Sequence, residues 1–194
     1  MPTTSSPTRA EIAAALPGDD LVPDATAAFD RATTLAAPPA EIWPWLVQLG
    51  KGRGGWYFPK WLERITPPSR RGLRHVDASL QDVQVGDDHP DWGPGAPVLR
   101  VVELDAQRAI VYHSLRDKAA GHQWPLDGSA ERDGVLAISW VLVLRPAGVA
   151  HTRLHLRLRA RIKPHAVSPE PLFDLFDWAT VELLFAGLRE RLGS

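Results

Sequence analysis

From His151 to Lys163 apolar and polar positions alternate without interruption: Thr152, Leu154, Leu156, Leu158, Ala160 and Ile162 stand against Arg153, His155, Arg157, Arg159, Arg161 and Lys163. A period of two over this length marks a β-strand with one apolar and one polar face. At roughly 3.3 Å per residue the strand runs about 40 Å. After five further residues a helical pattern begins, Pro169 to Leu192, about 36 Å long at 1.5 Å per residue. The matched lengths predict that this helix lies along the apolar face of a curved antiparallel sheet containing the strand. Its ends are well marked: Ser168 is a natural N-cap, Pro169 suits the first helical position, Glu170, Asp174 and Asp177 come early, Arg189 and Arg191 late, and Gly193 stops it. Its apolar surface is wider than one stripe, running from Leu172, Leu175, Phe176, Ala179 and Leu183 round to Val181, Leu184, Phe185, Leu188 and Leu192. That width suits a helix half wrapped by a sheet.

The rest of the chain supplies the remaining strands. Phe29 to Ala37 reads as the first strand, and Pro38 and Pro39 open a helix in which Ile42, Trp45, Leu46 and Leu49 form one stripe. Trp56 to Ile65 suggests a second short helix with Trp61, Leu62 and Ile65 turned inward. Val98–Leu104 and Ala109–Leu115 form a hairpin around LDAQR, and Leu136, Ile138, Trp140, Leu142 and Leu144 line one face of the strand that returns through PAG into the alternating stretch. Near the start, Thr8 caps a short helix, Arg9 to Leu16, which LPGDD ends; Asp19, Asp20 and Asp24 are expected in a solvated loop. The expected organisation is an N-terminal extension, residues 1–27, and one α+β domain, residues 28–194. In that domain the sheet wraps a long C-terminal helix, with two short helices after the first strand.

Composition narrows the classes. A net charge of -1 argues against a nucleic-acid binder. The absence of cysteine excludes disulfides, thiol nucleophiles and zinc-thiolate sites and suits the cytoplasm. The N-terminal stretch lacks an apolar segment of signal-peptide length, and the longest apolar run, Val135 to Leu144, is too short to span a bilayer. There are 8 tryptophans beside 5 phenylalanines and 2 tyrosines, which points either to a roomy apolar interior or to a core filled by indoles.

The local motifs are weak one by one. Gly50, Gly52 and Gly55 satisfy G-x-G-x-x-G, but they follow a helix rather than a strand, so a helix end and turn is the better reading than a phosphate cradle. Asp87, Asp88, His89 and Asp91 could hold a hard cation, yet Pro90 and the GPG after it read as a surface loop, and neither a metal nor a cofactor is expected. The acid-base candidates are His113, Tyr57, Tyr112 and His122; Tyr112 and His113 are strand neighbours, so only one of them faces the interior. The basic row from Arg153 to Lys163 reads as a solvated strand face paired with carboxylates on neighbouring strands.

The order strand, two short helices, a run of strands and a long last helix, together with several stretches, gives a resemblance to a known family. These stretches are LPGD at 16–19, RATTLAAPPAEIWPWLVQLG at 31–50, GRGGWY at 52–57, LQDVQVGD at 80–87, VVELDAQRAIV at 101–111 and TRLHLRLRAR at 152–161. The chain resembles an uncharacterised bacterial branch of the START and polyketide-cyclase (SRPBCC, helix-grip) superfamily along most of its length. The resemblance implies a cavity between sheet and last helix that takes lipids, polyketides or other apolar molecules, and no particular reaction. Binding or carriage of a small apolar molecule is therefore expected, with Trp45, Trp56, Tyr57, Trp140, Leu156 and Phe176 near the cavity. The alternatives are a cyclase- or hydrolase-type enzyme using His113 or Tyr57, and an interaction module whose wide last helix joins a partner or a second copy of the chain.

Overall fold

A computed structural model of the chain describes residues 6–92, 96–117, 135–162 and 170–193. His122, Lys163 and the cap assigned to Ser168 and Pro169 lie outside the described residues. The elements are α1 (Arg9–Ala13), β1 (Ala27–Leu35), α2 (Pro39–Val47), α3 (Lys60–Glu63), β2 (Asp88–Pro90), β3 (Val98–Asp105), β4 (Ala109–Asp117), β5 (Val135–Pro146), β6 (Thr152–Ile162) and α4 (Glu170–Leu192). The strands form one curved sheet in the order β1-β6-β5-β4-β3-β2, with every neighbouring pair antiparallel. This is the helix-grip arrangement that the order of elements and the resemblance imply. Among the described residues no helix is long and apolar enough to cross a membrane.

The concave face carries the main core. Leu35, Val101, Ile110, Leu142, Leu144, Leu154 and Leu156 from the strands meet Ile42, Trp45 and Leu46 of α2 and Val181, Leu184, Phe185 and Leu188 of α4. Tyr57 fixes the second half of α4 to this core. Its hydroxyl donates to the Trp45 carbonyl at 2.8 Å, and the Arg191 guanidinium lies 4.5 Å from its ring centroid. Arg191 in turn donates to Glu63 at 2.8 Å and to the Leu73 carbonyl at 2.7 Å. The backbone of α4 comes so close to Tyr57 that a Cβ on Gly187 would sit 2.1 Å from the Tyr57 carbonyl oxygen.

The convex face corrects the reading of the basic row. It is not solvated: His155, Arg157 and Arg161 are buried. Residues 8–25 lie across it, so the expected solvated loop at Asp19 to Asp24 is part of the packing as well. Arg153 pairs with Glu11 at 2.7 Å, Arg161 pairs with Asp24, and Arg159 donates to the carbonyls of Val22 and Pro23. Arg157 places all five of its N–H groups, on Asp30, Asp19 and the carbonyls of Glu11, Ile12 and Ala14. Apolar patches sit between these bonds. Leu16 packs on Ala109, Val111, Val141 and Val143, and Val22 packs on Leu115, Val135 and Ala137. The Thr8 capping box holds α1 for this role, and the Arg153 guanidinium beside Glu11 keeps its carboxyl down at about 2.

Smaller differences have local causes. β1 starts and ends two residues before the expected bounds. The helix expected over Trp56–Ile65 shrinks to Lys60–Glu63, starting after Pro59, and Trp61 and Ile65 are exposed rather than inward. The buried position of that turn is taken by Glu63, which is neutralised by Arg74 and Arg191.

Candidate ligand-binding site

The concave face has two unlike halves. Towards Leu142, Leu144, Leu154 and Leu156 it is buried, whereas Phe29, Leu136, Ile138, Trp140, Leu158 and Ala160 are only half covered. The first half of α4 extends over this end, and Phe173, Leu175, Phe176 and Trp178 on it are each more than half exposed. Arg31 ties that part of α4 to β1, with Nη2 2.5 Å from Asp174 and Nε 3.0 Å from Asp177. Burial pushes the Asp177 carboxyl up to about 6, against the pull of Arg31 and with the repulsion of Asp174.

A row of rings borders the half-covered region. Trp140 stacks on Tyr112 at 5.5 Å and on Trp56 at 6.2 Å between centroids. Trp92 meets Trp56 edge-on at 5.9 Å, and the His89 ring lies 5.5 Å from Tyr112. Trp56 is held in place by donating its indole N–H to the Thr180 carbonyl of α4 at 3.0 Å. The strands explain the row, because Tyr112 and Trp140 are register partners on β4 and β5. His89 enters from β2, where it faces Leu99 of β3.

The six residues expected near a cavity therefore divide. Trp56 and Trp140 come together and are half-buried, Trp45, Tyr57 and Leu156 are packed core, and Phe176 is 67% exposed on α4. Of the strand neighbours, Tyr112 faces the concave side and His113 the convex side, opposite Ser139 and Arg100. Burial, reinforced by Arg161, lowers the His113 pKa. Burial holds the Tyr57 hydroxyl well above the ordinary phenol range, and its proton is committed to the Trp45 carbonyl.

His89 does not lie in the surface loop expected from Pro90. It sits on an edge strand, is 4% exposed, and among the described residues both its ring nitrogens are buried without a hydrogen-bond partner. Burial, with the charge of Arg53 and against Asp87 and Asp88, pushes its pKa down to about 4. Asp88 is engaged by Arg100 at 2.8 Å and Asp91 by Arg116 at 2.6 Å, and among the described residues no three His, Asp or Glu side chains gather as a metal site would require. A proline in a three-residue strand hid this element from pattern reading. The Gly50–Gly55 stretch is a turn closing α2: Gly50, Gly52 and Gly55 have positive φ, and Arg53 donates to the Val47 and Leu80 carbonyls. A polar surface cleft of about 440 Å3 lies at Lys60, Glu63, Arg64, Arg71, Gly72 and Arg74; no residue of the aromatic row lines it.

No family model matches the chain, and no curated protein matches it either. Solved structures do resemble it in fold. Protein MLL2253 from Mesorhizobium loti is 14% identical with a TM-score of 0.49, the match covering 86% of this chain and 96% of that one. A protein from Thermobifida fusca is 18% identical with a TM-score of 0.48, covering 86% and 93%. CalU16 from Micromonospora echinospora is 14% identical with a TM-score of 0.43, covering 83% and 75%. At this distance they say nothing of what the present chain binds.

Proposed function

We propose that the chain binds a small apolar molecule on the half-covered end of its concave face, between the Tyr112–Trp140–Trp56 row and the first half of α4. The observation that carries this reading is the contrast within one sheet face. Leu142, Leu144, Leu154 and Leu156 are buried, while Trp140, Ile138, Leu136 and Leu158 on the same two strands remain partly open beside stacked indoles. Partly open apolar surface bordered by a few fixed polar groups is how small-molecule sites are built. Binding is favoured over a cyclase or hydrolase because the Tyr57 hydroxyl is occupied by a backbone carbonyl and His113 points to the other side of the sheet.

The test is to extract freshly purified protein and analyse the extract by mass spectrometry, and in parallel to titrate 8-anilinonaphthalene-1-sulfonate while following its emission. A retained apolar compound, or saturable dye binding that Trp140→Ala weakens about tenfold or more, is the expected result. Absence of both a compound and dye binding overturns the reading.

A further inference from the structure

A buried imidazole with neither nitrogen bonded is costly, because it has lost two hydrogen bonds to water and gained none. His89 is such a group, and it ends the row formed with Tyr112, Trp140 and Trp56. A phenylalanine would fill the same place with no polar atoms to satisfy. We propose that His89 is the polar anchor of the ligand site, where one ring nitrogen, as donor or as acceptor, meets a hydroxyl group borne by a flat aromatic ligand lying along that row. The inference rests on the binding reading above and adds to it the residue and the ligand class. A neutral imidazole both donates and accepts, and a hydroxyl is the smallest group that answers either role. The stacked rings supply the flat apolar surface, with the π-faces that favour aromatic over aliphatic partners. Arg53 approaches closely enough to disfavour a charged imidazole, whereas Asp87 and Asp88 oppose it from the β2 side, and Asp88 is itself taken up by Arg100. In the unliganded chain the imidazole is covered, so binding moves its neighbours. Trp92, three residues along and edge-on to Trp56, is exposed at this end of the row.

The experiment compares 2-naphthol with 2-methylnaphthalene, which differ by a hydroxyl for a methyl, in titrations of the full chain followed by its indole N–H signals in NMR. The wild type is expected to bind 2-naphthol about tenfold more tightly, the effect of one satisfied buried hydrogen bond. His89→Phe should remove that preference while still binding both probes, and His89→Gln, which keeps a donor and an acceptor, should retain it. The melting temperature of unliganded His89→Phe should rise by about 2–4 °C. Equal binding of the two probes by the wild type, or an undiminished preference in His89→Phe, overturns the role of His89 and leaves apolar binding standing. Failure of 2-naphthol to bind a chain that does bind the anilinonaphthalene dye overturns the ligand class. A melting temperature lowered by His89→Phe shows that the imidazole has partners of its own, and that also overturns the proposal.

Discussion

At the scale of single residues, stability here depends on places where one atom more or less cannot be absorbed. Gly187 is the sharpest. It lies mid-helix, where glycine is intrinsically unfavourable by about 1 kcal/mol relative to alanine. The usual expectation is thus that Gly→Ala stabilises. The opposite is predicted here, since the new Cβ would stand 2.1 Å from the Tyr57 oxygen and 2.6 Å from its carbonyl carbon. Both contacts are with backbone and neither atom can swing aside, so α4 must shift outward, and Gly187→Ala should cost about 3 kcal/mol or more in urea unfolding. A neutral or stabilising result would mean that α4 does not approach Tyr57 this closely. Tyr57→Phe is a gentler probe at the other end of the same residue. It leaves the Trp45 carbonyl without its donor, for an expected loss of about 1–2 kcal/mol with the fold retained.

Among the elements, the N-terminal segment and β6 have to be considered together. The strict alternation of β6 made the strand and its apolar side legible, and the matched length of α4 made the grip legible. The fate of the basic side was not, because period-two patterning reports that two faces differ and not which of them meets water. Guanidinium groups can be buried when enough carbonyls and carboxylates arrive, and those of α1 and the turn after it come from more than a hundred residues away in sequence. No local signal in the strand records them. The same holds at the candidate site: Trp56 and Trp140 stand out as large rings and Tyr112 as one of two strand neighbours of which one faces inward, while His89 reads as a loop residue because the ring it meets lies on another strand. Two outcomes are expected from the arginine row. Arg157→Ala takes from Asp30 one of its two donors, from Asp19 its guanidinium and from the Ile12 and Ala14 carbonyls theirs, and should cost about 3–5 kcal/mol, with Arg157→Lys recovering little of it because an ammonium cannot reach five acceptors. We further propose that residues 6–26 are part of the folding unit. A chain beginning at Ala27 would expose Val111, Val141 and Val143, leave Arg157 with Asp30 alone of its acceptors and strip those of Arg159, so it should aggregate or unfold at much lower urea. An unchanged midpoint would make this segment a mere attachment.

For the whole molecule, the two faces of the sheet follow different physics, and pH separates them. The concave side is closed by apolar contact and holds two misfit titratable groups near its open end, His89 and Asp177. The convex side is closed by charge between its apolar patches, with Glu11 and Asp30 ionised against Arg153 and Arg157. His89 has a folded pKa of about 4, below its ordinary 6.5, so as pH falls from 6.5 to 4 the unfolded chain takes up a proton that the native state refuses, and stability is lost. Asp177 has a folded pKa of about 6, above its ordinary 3.8, so over much the same range the native state gains a proton first, and stability is recovered. The two oppose each other, and the wild type should be nearly flat between pH 7 and about 4.5. Below that the convex face gives way. Burial works against ionisation of Asp30, but the hydrogen bonds from His155 and Arg157 prevail and leave its pKa lowered, and Glu11 stands at about 2, so both contribute stability that is lost as pH falls through their folded values. Single variants should break the balance in opposite directions. Stability of His89→Phe should rise from pH 7 towards 4.5 as Asp177 protonates unopposed, whereas stability of Asp177→Asn should decline from pH 6.5 downward as His89 acts alone. Melting temperatures measured at half-unit steps from pH 4 to 8 decide it. Parallel profiles for the two variants would mean that neither group is held as the concave face holds them here, and with that the physical case for an unsatisfied imidazole beside the aromatic row would fall.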